Sequence, residues 1–145
     1  MLINNAKIIT FNNQDQIIEN GGVLIDDNGK IIKIGLANEL DNVPSPGEVI
    51  DAKGQLLMPG NICAHTHFYG AYSRGLYIPG KAPNAFPEIL EKLWWKLDKS
   101  LDEEAIYYSS LVCLIDAIKQ VTTTLFDHHA SPNYINNSLD TISSA

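Results

Sequence analysis

The chain has 145 residues, of which 45% are hydrophobic and 19% are charged, a composition typical of a soluble globular protein. Its net charge of -7 argues against binding to nucleic acid or to an anionic membrane surface, since both require clustered lysine and arginine. No apolar run approaches the ~20 residues that a membrane span requires, so we expect no membrane partner. The two cysteines, Cys63 and Cys113, are too few for a disulfide framework, so we expect a cytoplasmic protein with reduced thiols.

Residues 1–58 are predicted to form a small β-domain. Short apolar and β-branched runs predict strands at residues 6–11, 22–26, 30–35 and 48–51. The Asn28-Gly29 pair lies between the second and third runs, and such a pair is a strong short-range signal for a hairpin. Residues 43–47, which contain Pro44 and Pro46, are predicted to be a loop.

The pattern changes at residue 56. Residues 56–65 are almost wholly apolar, as expected of a strand that is buried on both faces. Residues 68–86 are rich in glycine, proline and tyrosine and are predicted to form a long loop. Pro87 suits the first turn of a helix, and apolar residues follow at helical spacing at Leu90, Leu93, Trp94 and Leu97.

A second helix and a second strand continue this pattern. The capping-box sequence Ser100-Leu-Asp-Glu103 predicts a helix start. The apolar stripe of that helix is predicted to pass through Ala105, Tyr108, Val112 and Ile115. Residues 121–127 predict a second buried strand, and another helix is expected from Ser138. Strands that alternate with helices indicate an α/β fold with a parallel sheet and right-handed crossovers.

His65 and His67 are the clearest candidates for chemistry. They are two residues apart on a predicted strand, so their side chains point to the same face. Two imidazoles placed in this way can converge on one metal ion. The alternative is a pair of incidental histidines at a strand end, because a bare His-x-His sequence is common.

The sequence around these histidines carries a resemblance to a known family. Residues 58–67, Met-Pro-Gly-Asn-Ile-Cys-Ala-His-Thr-His, resemble the first barrel strand of the amidohydrolase superfamily. The Arg74-Gly75 pair and residues 122–127 are similar to sequences in the deaminase and chlorohydrolase branch of that superfamily. The resemblance covers the whole chain, with several motifs in the same order.

Two positions depart from the usual pattern of that branch. Cys63 stands where many members carry aspartate, on the same strand face as His65 and His67. We interpret Cys63 as a small side chain in a core layer below the metal, and a third ligand is the alternative. Val121 stands where a glycine usually precedes the threonine run, which suggests a less tight entry into the strand.

The resemblance implies a fold of which residues 1–145 would form only the first part. Residues 1–58 would be the N-terminal part of a small β-sandwich domain. Residues 59–145 would be the first βα units of a (β/α)₈ TIM-type barrel, which needs eight strands and about 250 residues. We therefore expect the barrel to be incomplete in this chain.

The resemblance also implies an activity. One divalent ion, zinc or alternatively iron, would be bound by His65, His67 and two residues on later strands. Water activated by the ion would hydrolyse a carbon–nitrogen bond other than a peptide bond, deaminating an aminated nitrogen heterocycle. The general base would lie beyond the end of the chain, so no catalytic residue is assigned here. The partners expected are a small-molecule substrate and further copies of the intact protein in a homo-oligomer, with no nucleic acid.

Four side chains are candidates for substrate binding. Arg74 could bind an anionic or carbonyl group, or it could form a loop salt bridge. Tyr69 could stack on a planar ring, or it could pack locally. His128 and His129 follow the second strand, where either could reach the substrate or be a polar loop residue.

Three other interpretations stay open at this point. The protein could be a cyclic-amide hydrolase of the same superfamily, which would often use two metals bridged by a carbamylated lysine on a later strand. It could be a non-catalytic subunit, although nothing structural requires an intact His-x-His sequence. The chain could also be a catalytically incomplete fragment.

Overall fold

The computed structural model describes residues 1–40 and 47–145. The predicted loop at residues 43–47 lies outside the described residues, except for Gly47. The chain divides into two compact units, Met1–Pro59 and Gly60–Ala145. Among the described residues, no helix is both long and apolar enough to cross a membrane.

The first unit is built on one mixed sheet of five strands. The strands are β1 (Leu2–Ile9), β2 (Ile17–Ile25), β3 (Ile31–Leu36), β4 (Val49–Asp51) and β5 (Leu56–Leu57). β1, β2 and β3 are antiparallel neighbours, whereas β4 and β5 both pair with β1 in parallel. The predicted hairpin is confirmed, and Gly29 has the positive φ of 77° that its turn requires. A short 3₁₀ turn, Ala37–Glu39, follows β3.

The core of this unit lies on one face of the sheet. Its buried cluster consists of Ala6, Ile8, Ile18 and Val23. β1 begins and ends earlier than predicted, because the chain turns away at Phe11, which is exposed and has φ of 48°. A β-sandwich needs a second sheet packed on the first, and the described residues of this unit contain one sheet.

The predicted single strand at residues 56–65 is wrong, because the structure has two strands there. β5 belongs to the sheet of the first unit, and β6 (Asn61–Thr66) belongs to the second unit. Pro59 has no N–H group to donate to a strand ladder, so it interrupts the run. An apolar composition alone does not reveal that the two halves pair with different strands.

The second unit contains two parallel strands connected through helices. β6 pairs with β7 (Thr122–Asp127) in parallel, which confirms the predicted type of sheet. The segment between them is helical at Phe68–Ser73, α1 (Phe86–Ile89), Leu90–Trp94, α2 (Trp95–Ser100) and α3 (Glu103–Lys119). The chain ends with α4 (Ser138–Ser144), and α3 packs against both α4 and the Phe68–Ser73 turn.

Two details of this helical segment differ from prediction. Part of the predicted loop at residues 68–86 is a 3₁₀ helix, Phe68–Ser73. The helix expected from Pro87 is present, but Leu90–Trp94 forms a wider π turn between α1 and α2. Such turns shift side chains around a helix and are frequent at functional sites.

The start of α3 and its buried face also differ from prediction. The N-cap is Asp102, whose Oδ1 accepts the Ala105 N–H at 2.8 Å, whereas the Ser100 hydroxyl donates to the Leu97 carbonyl. The buried residues of α3 are Ile106, Ser109, Ser110 and Ala117. Exposed instead are three residues of the predicted stripe: Tyr108, Val112 and Ile115. Burial of the serines is possible because both hydroxyls donate to the Ile106 carbonyl within the helix.

Candidate metal centre

The two histidines of the predicted metal site converge at the carboxyl end of β6. His65 lies on the strand and His67 directly follows it, with Thr66 between them. Their Nε2 atoms are 3.2 Å apart. A tetrahedral zinc ion with Zn–N distances of about 2.0–2.1 Å holds two nitrogens roughly 3.3 Å apart. The separation of the two Nε2 atoms is therefore close to that of two nitrogens bound to one tetrahedral ion.

The orientation of His67 is set by a hydrogen bond on its other nitrogen. Nδ1 lies 2.6 Å from the backbone oxygen of His128. Because a carbonyl only accepts, Nδ1 must carry the proton, and the lone pair of the neutral ring is left on Nε2. Trp94 and Tyr69 pack against the His67 ring, with centroids 5.3 and 5.7 Å away. His67 is therefore held in the tautomer that can bind a metal through Nε2.

His128 supports the site in a second way. Its ring stacks on the His65 ring, with centroids 4.2 Å apart and planes inclined by 23°. His128 was predicted as a substrate contact. The structure brings it beside both ligand histidines and also shows a packing contact, so its substrate role stays a prediction.

Asp127 and His128 at the end of β7 bond to the backbone on both sides of His67. The His128 N–H donates to the Thr66 carbonyl at 2.8 Å. The Phe68 N–H donates to Asp127 Oδ1 at 2.9 Å, while Asp127 Oδ2 is buried without a hydrogen-bond partner. These bonds tie the histidine motif to the neighbouring strand.

Tyr69 is not on the surface of a loop. It is 3% exposed and belongs to a buried cluster with Leu101 and Ile106. Its burial, together with the negative charge of Asp98, raises the pKa of the phenol. The ring packs inside the protein and contacts the His67 ring, which is the local packing that the sequence left as an alternative, and stacking of Tyr69 on a substrate ring stays a prediction.

His129 is half-buried, and its side chain forms a hydrogen bond with Ser131. Its Nε2 donates to the Ser131 hydroxyl at 2.8 Å, since that hydroxyl itself donates to the Tyr134 carbonyl. Its Nδ1 is buried without a hydrogen-bond partner. Burial lowers the pKa of the His129 ring, with the charge of Asp127 acting in the opposite sense. The predicted substrate contact of His129 stays a prediction.

Arg74 has a partner within the second unit. Its Nη2 lies 2.8 Å from Asp116 Oδ2 on α3, and the two side chains are 67% and 46% exposed. This is the loop salt bridge that the sequence left as an alternative. The guanidinium is still accessible, so a role in substrate binding is not excluded by this contact.

Cys63 lies on the same strand as the histidines, and its thiol is 3.5 Å from the His65 carbonyl. Across residues 1–40 and 47–145, no three or more His, Cys, Asp or Glu side chains are close enough together to hold a metal ion. The described residues thus bring together two candidate ligands and no third.

Sequence reasoning did not connect Trp94 with the histidines. Helical spacing marked Trp94 as a core residue, but the π turn that places it against His67 has no signature in the spacing of apolar residues. The position of Asp127 at the end of the second strand was a usable signal, because parallel strands end at the same edge of a sheet.

Comparison with known proteins extends these observations. No family model matches the chain. It is 34% identical over 131 residues to 5'-deoxyadenosine deaminase of Methanosarcina acetivorans, covering 88% of this chain and 27% of that protein. It is 33% identical to 5-methylthioadenosine/S-adenosylhomocysteine deaminase of Bacillus cereus, covering 85% of this chain and 27% of that protein. The chain therefore spans about a quarter of the length of these relatives.

Solved structures show the same fold. Atrazine chlorohydrolase from Arthrobacter aurescens, complexed with zinc, matches 99% of this chain and 33% of its own length, with a TM-score of 0.71 and 24% identity. Guanine deaminase of E. coli matches 99% of this chain and 34% of its own length, with a TM-score of 0.73 and 21% identity.

The chain thus shares its fold with these solved hydrolase structures and carries two histidines close together at the carboxyl end of β6. More particularly, its homologues are deaminases of the amidohydrolase superfamily, which confirms the resemblance carried by residues 58–67.

Proposed function

We propose that the intact protein is a metal-dependent aminohydrolase that deaminates an aminated nitrogen heterocycle. The observation that carries this proposal is the 3.2 Å separation of the Nε2 atoms of His65 and His67 at the end of a parallel strand. Support comes from relatives whose names are those of deaminases acting on adenosine derivatives. No observation favours a cyclic-amide hydrolase or a non-catalytic subunit over this activity.

His65 and His67 are proposed to bind one divalent ion, with zinc preferred over iron. Two neutral imidazoles are a donor set that suits zinc. When bound, such an ion makes a water molecule nucleophilic near neutral pH. The remaining ligands and the general base are proposed to come from residues outside this chain.

The other residues of the site are proposed to orient and shield the ligands. The His128 carbonyl keeps the proton of His67 on Nδ1, and the His128 ring packs on His65. Trp94 and Tyr69 cover one side of His67, which limits access of water from that direction. Arg74, whose side chain is 67% exposed, is proposed to contact the substrate.

We also propose an architecture for the intact protein. β6 and β7 would be the first two strands of a (β/α)₈ barrel, since they are parallel and carry the histidines at their carboxyl ends, where barrel enzymes place catalytic groups. Residues 1–58 would be part of a β-sandwich domain and residues 59–145 the first barrel units. A cytoplasmic homo-oligomer is proposed for the intact protein.

The test is ammonia release by the intact purified protein. It would be incubated with a panel of adenosine derivatives, guanine and aminated triazines, before and after removal of metal by a chelator. We expect ammonia from at least one compound, loss of release after chelation, and recovery on adding zinc. Release that is unaffected by complete metal removal, or no release from any compound by the metal-loaded protein, would overturn the proposal.

A further inference from the structure

The backbone around His67 is fixed from the neighbouring strand. Three bonds do this: His128 N–H to the Thr66 carbonyl, His67 Nδ1–H to the His128 carbonyl, and Phe68 N–H to Asp127 Oδ1. They connect three consecutive residues of the motif to the last residue of β7 and the residue that follows it. Asp127 supplies the one side chain among the three acceptors, because the other two are backbone carbonyls.

Phe68 is a buried residue whose N–H donates a partly buried hydrogen bond to Asp127. The residue is 5% exposed, and its carbonyl accepts the Cys113 thiol at 3.2 Å. Without Asp127 Oδ1, the Phe68 N–H would lose its partner in a buried position, which is costly. The chain would then be expected to shift at Phe68, and His67 is the residue directly before it.

We propose that Asp127 is a positioning residue of the metal centre, which it serves by fixing the backbone at Phe68. This holds the His67 ring so that Nδ1 meets the His128 carbonyl and Nε2 faces His65. The inference rests on the proposed function for the role of the metal, and it concerns metal affinity and not turnover. Loss of such outer partners typically weakens metal binding about 10–100-fold.

A purely structural role would predict a different result. Asp127 could simply close the end of β7, in which case its loss would lower stability without changing the ligand geometry. Asp102 is a matched control, because its carboxylate also accepts a backbone N–H, from Ala105 at 2.8 Å, in the same unit. Asp102 caps α3 and has no bond to the histidine motif.

The experiment uses the intact protein, stripped of metal and titrated with Co²⁺, whose visible absorption reports the ligand geometry. Zinc affinity is then measured by competition, and the melting temperature is recorded for each variant. We expect Asp127→Ala to weaken zinc binding about 10–100-fold and to change the Co²⁺ spectrum. Asp127→Asn, which keeps an acceptor oxygen, should bind within about threefold of wild type. Asp102→Ala should lower the melting temperature and leave affinity and spectrum unchanged.

The outcomes separate the inference from the proposed function. Wild-type affinity and spectrum in Asp127→Ala, or equal weakening in Asp102→Ala, overturn the inference while ammonia release can still stand. Metal binding that depends on Asp127, in a protein that releases no ammonia, supports the inference and contradicts the function. A wild-type protein that binds neither Co²⁺ nor zinc overturns both. If Asp127→Ala does not fold, Asp127→Ser replaces it in the experiment. The serine side chain is one atom shorter than aspartate, so we expect a loss of zinc affinity between those of Asp127→Asn and Asp127→Ala.

Discussion

At the scale of single residues, His65 and His67 make the sharpest prediction. His65→Ala and His67→Ala should each remove the metal and the activity of the intact protein, because a site that loses one of its few nitrogen ligands no longer holds zinc. Elemental analysis of the purified variants measures this. Cys63→Ser is the matched control on the same strand, and it should retain the metal. A metal-replete His67→Ala beside a metal-free Cys63→Ser would contradict the assignment.

Substitution of Arg74 tests whether its exposed guanidinium binds the substrate. Its salt bridge with Asp116 is largely exposed, and such salt bridges contribute little to stability. Arg74→Ala should therefore leave the melting temperature within a few degrees while lowering kcat/KM. Asp116→Ala breaks the same salt bridge and should retain most of kcat/KM. If the two variants have the same kinetics as wild type, Arg74 has only its contact with Asp116.

The lowered pKa of His129 predicts that the free energy of unfolding depends on pH. Burial holds the pKa of its ring below the ordinary value of 6.5, so at mildly acidic pH the unfolded chain binds a proton that the folded protein does not. Stability should therefore fall as pH drops below 6.5. His129→Gln should show a smaller loss between pH 7 and pH 5 in denaturant unfolding. An identical pH dependence in the variant would show that other groups cause it.

At the scale of elements, the turn between α3 and β7 shows what the departure from the family pattern at Val121 does to the backbone. It follows α3 with a left-handed φ of 55°, and its N–H bonds to the Ile118 carbonyl. This is the position after a helix where glycine is usual. The interpretation of a less tight entry into β7 is therefore wrong. The turn is tight, and valine is strained in this backbone conformation.

A glycine at this position should relieve that strain. Left-handed backbone costs a β-branched residue about 1–3 kcal/mol, and glycine's extra freedom in the unfolded chain offsets part of the gain. Val121→Gly should raise the free energy of unfolding by about 1 kcal/mol, measured by denaturant titration. Val121→Ala shortens the side chain but still disfavours this backbone, so it should not stabilise. Stabilisation by alanine equal to that by glycine would argue against strain.

The elements also show what a sequence can reveal about this site. Alternation along a strand was enough to place His65 and His67 on one face, and β7 was predicted as its parallel partner. The split between β5 and β6 was missed because the apolar run was interpreted as one strand, although Pro59 within it was a usable signal for a break. The buried face of α3 was missed because its serines satisfy their hydroxyls within the helix, which composition does not show.

At the scale of the whole molecule, the exposed apolar surface of the second unit is the main feature. β6 and β7 form a two-stranded sheet with Ile62 and Phe126 exposed, and Ile118 on α3 is 73% exposed. Exposed apolar side chains and open strand edges promote association. This surface is consistent with a unit that is covered by further structure in the proposed barrel.

Residues 1–145 expressed alone should therefore associate. They should also bind zinc weakly and release no ammonia, because the pair of histidines leaves most of the coordination sphere to water. Light scattering, zinc titration and an ammonia assay measure the three properties. Ile118→Lys should reduce association, whereas Lys119→Arg, one residue later, should not. A monomer with sub-micromolar zinc affinity and turnover would contradict this prediction.

The hydrogen bond between His67 Nδ1 and the His128 carbonyl has a consequence for the time course of metal capture. Because folding alone brings the two Nε2 atoms to a separation of 3.2 Å, these two nitrogens do not have to move toward each other when an ion arrives. The first step of capture by this pair should then be as fast as the hydrated ion exchanges its own water.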